Sequence, residues 1–314
     1  MKFGVQLFGV LNHERTDPMD HLRSLAQIGF RRIEPCISFS PIPGWESVIW
    51  PADWYEQHAD EIRALGLEVP SAHIFAESLA LAIPDLLKLS RGFGVRQFIV
   101  KSPSDLSPES LQQTALAYMQ SADALHEAGA ELLLHNEAAD MSALVHGMTA
   151  YEYLLSLCQG KVGAQVDVGW AFYAGQDPEA LLRRLGTLVR SLHYKDFRSA
   201  ADGMIPTQIG LGSVDTVACF QFARAAGIPQ IIDLDDFDGD PKEVLSACLG
   251  RLQSMTQVRE HTVSYLNTLD VETGEVRVLH RFDRVIEAPN WLKTQNRILF
   301  NSEGHIYLDR TSVV

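Results

Sequence analysis

The side chains able to do acid, base or ligand chemistry recur along the chain in short groups: Glu34; Ser71 and His73; Lys101; His135 and Glu137; Asp167; His193, Lys195 and Asp196; Asp233 and Asp235. Each group closes a run of aliphatic or β-branched residues, which places it at the carboxyl end of an expected strand. Side chains alternate along a strand, so His135/Glu137, His193/Lys195 and Asp233/Asp235 each put both members on one face and can line one mouth together. Carboxylates and imidazoles crowded there without partners would repel or be poorly solvated, and a bound cation relieves both problems. On this reasoning Glu137, Asp167, His193 and Asp233 form a candidate four-ligand set. Three oxygen donors with one imidazole suit a hard divalent ion, Mn²⁺ first, with Mg²⁺, Co²⁺ and Zn²⁺ admissible, and leave positions for substrate oxygens.

Each residue also has a plainer account. His73 can be a satisfied strand-end histidine, and Glu34 can pair with an arginine. Lys101 and Lys195 can balance the acidic ring, while Asp196 and Asp235 can cap loops or orient ligands.

The elements that must position these groups read as an alternation of short strands and longer helical segments, the pattern of a parallel α/β domain. Strands are expected at Lys2 to Phe8, Arg31 to Pro35, Glu68 to Ile74, Arg96 to Lys101, Glu131 to Asn136, Gly163 to Val168, Val189 to Lys195 and Gln230 to Asp235. Helix starts are marked by Asp17-Pro18, Ser107-Pro108, Asp177-Pro178 and Asp240-Pro241, where the oxygen caps free N–H groups and Pro loses no bond. Asp53 with Glu56 has the spacing of a capping box. Gly29, Gly66, Gly129 and Gly227 stand where helices should end. Eight such units favour a closed (β/α)8 TIM barrel over an open sheet, because closure removes both edges and no Gly-rich phosphate fingerprint follows the first strand. In a barrel the strand C-termini carry the chemistry.

The barrel is expected over residues 1–256. Over 257–314 the texture changes to VSYLNTLDV, VRVLHRF, NRILFNSE and GHIYLDR, read as four strands joined by Gly-containing turns. This short all-β extension resembles one blade of a TolB-like β-propeller, on the runs EAPNW (Glu287 to Trp291) and RILFNSEGHIY (Arg297 to Tyr307). One blade buries too little surface to stand alone, so it is expected to pack on the barrel or on another subunit, and a homo-oligomer stays open.

A formal charge of -14 with no Lys/Arg cluster argues against a nucleic-acid partner. No 18-residue apolar run occurs, and the N-terminal MKFGVQLFGV begins as a strand and not as a secretory signal, so a cytoplasmic protein without a membrane partner is expected. The four cysteines lack CxxC spacing and read as reduced thiols.

Taken in order, GVQLFGV, IGFRRIEPC, LEVPSAHIF, LLLHNEAADM, VGAQVDVGWAFYAGQDP and VRSLHYKDF resemble the xylose isomerase-like barrel superfamily of sugar phosphate isomerases and epimerases. The resemblance implies a divalent-metal site with one ligand from each of strands five to eight. Asp167 matches the strand-six Asp and His193 the strand-seven His. On strand five, relatives carry LEN or HNH where this chain has HNE followed by Asp140; Glu137 is taken as the ligand, with His135 and Asp140 as alternatives. On strand eight Asp233 stands for the usual Glu, one methylene shorter.

By the same resemblance Glu137 and Asp233 would exchange a carbon-bound proton of a sugar-like ketone through an enediolate, with Glu34, His73, Lys101, His135 and Lys195 as substrate-contacting residues. If Asp233 is too short, elimination of water, as in the dehydratases of that superfamily, is the alternative. Its DNA-repair endonucleases do not fit an acidic chain with so few extra ligands. From a different class, a non-catalytic sugar binder would use Trp170, Trp291 and Tyr307 to stack sugar faces. The stretch Gln208 to Ser213 (QIGLGS) is either a phosphate-binding loop or a turn.

Overall fold

The structure, a computed structural model, describes residues 2–13, 17–39, 42, 44, 48–200, 203–237, 239–257, 264–269, 273, 276–282, 287–292, 297–302 and 305–308. Two compact units emerge, Met1–Thr256 and Gln257–Val314.

The first unit is a closed eight-stranded parallel barrel. Its strands are β1 (Gly4–Gln6), β2 (Arg32–Glu34 and, beyond Pro35, Cys36–Ser38), β3 (Ser71–Phe75), β4 (Gln97–Lys101), β5 (Glu131–His135), β6 (Gly163–Asp167), β7 (Val189–Tyr194) and β8 (Gln230–Ile232). Neighbours pair in sequence order and β8 returns to β1, with Gly4 opposite Ile231. β2 closes the ring. Its first half pairs with β1 (Gln6 opposite Glu34) and its second half with β3 (Cys36 opposite His73), while Glu68 exchanges backbone bonds of 2.9 and 3.0 Å with Arg31 and Ile33.

Local chemistry explains most of the boundaries. Asp17, Ser107 and Asp177 each accept a backbone N–H at the start of helices Pro18–Ile28, Pro108–Glu127 and Pro178–Leu185. Asp240 Oδ1 does the same for Pro241–Gln257, at 2.9 and 3.1 Å from the N–H groups of Lys242 and Glu243. The Asp53/Glu56 capping box does not form: the helix Ala52–Gln57 begins two residues earlier than that box requires, with Pro51 at its cap position and Asp53 already inside its first turn. β1 is shorter than expected, because the Phe8 N–H donates to Gln6 Oε1 at 2.6 Å and the chain turns into the helix Leu7–His13. Trp50–Pro51 then fills the place beside Cys36–Ser38 that a longer β1 would have taken. Outward-facing Leu132, Leu134, Ala164, Val166 and Leu192 are buried against the outer helices. Burial of that apolar surface drives closure, at roughly 25 cal/mol per Å².

The second unit contains an antiparallel pair, Ser264–Leu269 with Val276–Phe282, and a three-stranded antiparallel sheet, Glu287–Leu292, Arg297–Ser302 and His305–Leu308. That is one strand more than the four expected. The run EAPNWL pairs despite Pro289, because the register shifts between Glu287 and Asn290 and takes the residue without an N–H out of the ladder. The side chains of Trp291 and Tyr307, named above as sugar-stacking candidates, lie outside the described residues.

Candidate metal centre

The C-terminal end of the barrel carries the polar residues of the sequence, sorted by depth. Deepest is Glu34, on β2 and 1% exposed. Its Oε1 lies 2.7 Å from His193 Nε2 and 3.1 Å from His73 Nε2, and its Oε2 accepts from Ser71 Oγ at 2.5 Å and Gln165 Nε2 at 3.0 Å. Burial alone would raise the Glu34 pKa, but the adjoining His193 and His73 outweigh it and hold the carboxyl well below its usual range.

One layer up, His135, Asp167, His193 and Asp233 offer ligand atoms that all lie within 4.8 Å of one another. Asp167 and His193 are fixed from behind. Asp167 follows β6 and caps the short helix Val168–Tyr173, its Oδ1 accepting from the Trp170 N–H at 2.8 Å; Asn136 clasps its backbone through bonds of 2.8 and 3.1 Å. That leaves Oδ2 facing the centre. His193 is held at Nε2 by Glu34 and at Nδ1 by Asp233 Oδ2, 3.0 Å away. Although burial opposes a charged ring, the two carboxylates raise the His193 pKa to about 10. For His135 burial and the neighbouring His193 and His73 act together, pushing its pKa well below 6.5 and leaving the ring neutral.

Lys195 sits beside this cluster. Its Nζ is 3.2 Å from both Asp167 Oδ2 and Asp233 Oδ2, bonds Asp235 Oδ2 and lies 4.6 Å from the centre of the Trp170 ring. Burial disfavours the ammonium form, yet the three carboxylates keep it charged. The same arrangement acts on Asp233, whose pKa burial would raise and Lys195 and His193 drive well below 3.8. Burial raises Asp167 to about 7, partly offset by Lys195. The glycine of the DVG run makes room for this packing, since a Cβ on Gly169 would come within 2.5 Å of Lys195 Cβ and 2.7 Å of its carbonyl oxygen.

Glu137 stands outside the four-residue cluster. β5 ends at His135, and Glu137 leaves the barrel wall at the start of the helix Ala138–Ser142, ion-paired to Lys101 on β4 and 3.9 Å from His135 Nδ1. At 33% side-chain exposure it belongs to the rim, as does Asp235, also at 33%. Asp140, the other strand-five alternative, is turned away: it accepts from Ser102 Oγ at 2.5 Å and from the Glu137 N–H at 2.9 Å. His73 bonds Gln165 Oε1 at 2.9 Å, and its ring stands 5.0 and 5.5 Å from those of His135 and His193, with which it forms a second group of ligand atoms within 4.8 Å of one another.

The loop read as QIGLGS is closed by the protein itself. Asp196 Oδ2 accepts from the N–H groups of Gly210 (2.8 Å) and Gly212 (3.0 Å), and Oδ1 accepts from Val214 (3.1 Å) and Phe197 (2.9 Å). A Cβ on Gly212 would stand 2.1 Å from Asp196 Oδ1, so only glycine lets the turn wrap the carboxylate. The nest is an anion site whose anion is internal.

Asn136 and Gln165 were not singled out in the sequence. Gln165 has a readable signal, because it lies two residues before Asp167 and so faces the same way.

The atoms of the cluster fit a divalent ion. Both ring nitrogens of His135, Asp167 Oδ2 and Asp233 Oδ1 are buried without a hydrogen-bond partner. Lys195 neutralises Asp167 Oδ2 but is out of line for a hydrogen bond to it. Buried polar atoms are otherwise almost always partnered, and two imidazoles with two carboxylates are ordinary divalent-metal donors.

The comparisons with solved structures return the closed α/β barrel. No family model matches the sequence, and no curated protein matches it. By structure it is similar to a sugar phosphate isomerase/epimerase from Parabacteroides distasonis (TM-score 0.64, 17% identity, 81% of this chain and 96% of that one). It is also similar to a probable 3-DHS dehydratase from Bacillus anthracis (TM-score 0.60, 16% identity, 81% and 99%). A third is a xylose isomerase-like TIM barrel protein from Mycobacterium smegmatis in complex with magnesium (TM-score 0.60, 16% identity, 82% and 97%). At such identities the likeness shows the fold alone, a TIM barrel.

Proposed function

We propose that this chain is a divalent-metal-dependent isomerase or epimerase of a small, polyhydroxylated, sugar-like ketone. One observation carries the reading: His135, Asp167 and Asp233, each with a buried atom that has no hydrogen-bond partner, and His193 offer one ligand atom apiece within 4.8 Å of one another at the mouth of the barrel. His135, Asp167, His193 and Asp233 would hold the ion; His135 takes the strand-five place that the sequence had offered to Glu137. A set of two imidazoles and two carboxylates is softer than three carboxylates and one imidazole, which moves weight from Mg²⁺ toward Mn²⁺, Co²⁺ or Zn²⁺. When bound, such an ion supplies Lewis acidity toward a carbonyl and its neighbouring hydroxyl. Glu137, at the rim beside Lys101, has the exposure and freedom to take a carbon-bound proton. Lys101 pairs with that carboxylate and orients it. Asp233, through its unpartnered Oδ1, is the candidate on the opposite face.

A dehydratase is the second reading, and Asp233 favours it. Its Oδ2 is held by the Lys195 ammonium, which depresses its basicity and so makes a second proton exchange difficult and elimination from one face easier.

The test is to incubate metal-loaded protein with a panel of ketoses and inososes in deuterated water. Solvent deuterium at carbon with otherwise retained mass supports isomerisation or epimerisation, and loss of water supports the dehydratase. The enzymatic reading fails if purified protein takes up no divalent metal, or if Asp167→Ala takes it up as well as the wild type does.

A further inference from the structure

Glu34 ends the RIE run of β2 and faces into the barrel, where the sequence invites a substrate-contacting role. Its surroundings do not allow one. A carboxylate accepts along about four lone-pair directions; Glu34 takes hydrogen bonds from His193 at 2.7 Å, Ser71 at 2.5 Å and Gln165 at 3.0 Å, and His73 Nε2, itself bonded to Gln165, closes the remaining side at 3.1 Å. Nothing is left for a sugar hydroxyl, and the side chain lies beneath the cluster, 1% exposed.

What Glu34 does touch is the ring of His193. Because Nε2 is held from below, Nδ1 must point up toward Asp233, 3.0 Å away, and toward the point shared with His135 and Asp167. A metal-bound histidine is commonly fixed in this way, its second nitrogen donating to a carboxylate that sets ring orientation and raises basicity. Ser71, His73 and Gln165, all buried, brace the carboxylate in turn.

We propose that Glu34 is a positioning residue that locks His193 with Nδ1 facing the metal centre and thereby sets its affinity for a divalent cation, without contacting substrate. The proposal rests on the metal-centre reading above.

The test is Co²⁺ binding to the full chain, by isothermal titration and by the visible absorption of the bound ion, with folding checked by circular dichroism. Glu34→Gln should bind Co²⁺ about 10- to 100-fold more weakly than wild type and with an altered absorption band, which a purely structural role would not produce. A folded Glu34→Gln protein with wild-type affinity and spectrum overturns the proposal and leaves the metal-centre reading intact. A wild-type protein that binds no Co²⁺ overturns both. If Glu34→Gln does not fold, Ser71→Ala decides. It removes one bond to Glu34 and touches no ligand, and it should weaken Co²⁺ binding about 2- to 10-fold; an unchanged affinity overturns the proposal.

Discussion

Replacing Lys195 by Met removes an ammonium group that lies 3.2 Å from Asp167 Oδ2 and 3.2 Å from Asp233 Oδ2, and that also pairs with Asp235. The lysine side chain is 2% exposed and the first two carboxylates 0% and 4%, so solvent screens little. Each 3.2 Å contact is worth about 5 kcal/mol at an effective dielectric near 20, and the desolvation of the ammonium offsets much of the sum. Breaking one partner out of a buried ionic group typically costs about 3–5 kcal/mol, because the charges left behind are uncompensated. In a domain of this size that corresponds to a fall of roughly 6–20 °C in melting temperature. The assay is thermal unfolding of the full chain in EDTA, followed by tryptophan fluorescence, with Trp170 reporting from 4.6 Å away. A loss below about 1 kcal/mol, the value of an exposed pair, would refute the placement of Lys195 as a desolvated counter-ion. The second half of the prediction concerns metal. Added Mn²⁺ should raise the melting temperature of Lys195→Met more than that of the wild type, because it relieves repulsion that only the variant suffers. Equal increments would show that the ion and the ammonium do not share the same carboxylates.

Asp196→Ala strips four backbone N–H groups of their acceptor and should cost about 3 kcal/mol or more in urea unfolding; a loss under about 1 kcal/mol contradicts the nest. Ser107→Ala removes the cap of Pro108–Glu127 and should cost about 0.5–2 kcal/mol, whereas Asp53→Ala, inside a first turn, should cost under about 0.5 kcal/mol. The reverse ranking in parallel denaturation curves would contradict the helix start at Ala52. Burial pushes the Cys158, Cys219 and Cys248 thiols up to about 11, 12 and 11, and raises that of Cys36 further. Ellman's reagent at pH 8 should therefore label no cysteine in the native protein and all four after denaturation. Fast labelling of one native thiol would show that its burial is wrong.

Much of this architecture was legible in the sequence, because the period of the apolar runs, the four capped prolines and the helix-ending glycines are local signals. Gly29, Gly66, Gly129 and Gly227 do adopt left-handed backbone, with φ of 117°, 74°, 73° and 67°. What alternation could not give was depth. His135 and Glu137 share parity, and only the end of β5 decides that the first stays in the wall while the second moves to the rim. Glu34 and Lys195 look like mouth residues in one dimension, yet the first is roofed by His193 and the second enclosed by Asp167, Asp233 and Asp235. The anion nest was visible as a Gly-rich turn, but its occupant, Asp196, lies 14 and 16 residues away from the N–H groups of Gly210 and Gly212 that it accepts. A partner so distant along the chain leaves no local mark.

Lys195 and the expected metal do different work at the same carboxylates. The ammonium brings positive charge to Asp167 and Asp233, which offsets part of their mutual repulsion. It leaves His135, Asp167 Oδ2 and Asp233 Oδ1 without partners along their lone pairs, and a neutral imidazole gains nothing from a nearby ammonium. Lys195 therefore supplies charge to these carboxylates but no directional ligation. On the proposed function, such a barrel would be expected to fold without its ion, unlike small metal domains whose binding energy is their folding energy. It also keeps the ligands preformed, so that little conformational entropy is lost when the ion enters and more of its attraction is left to act on a substrate.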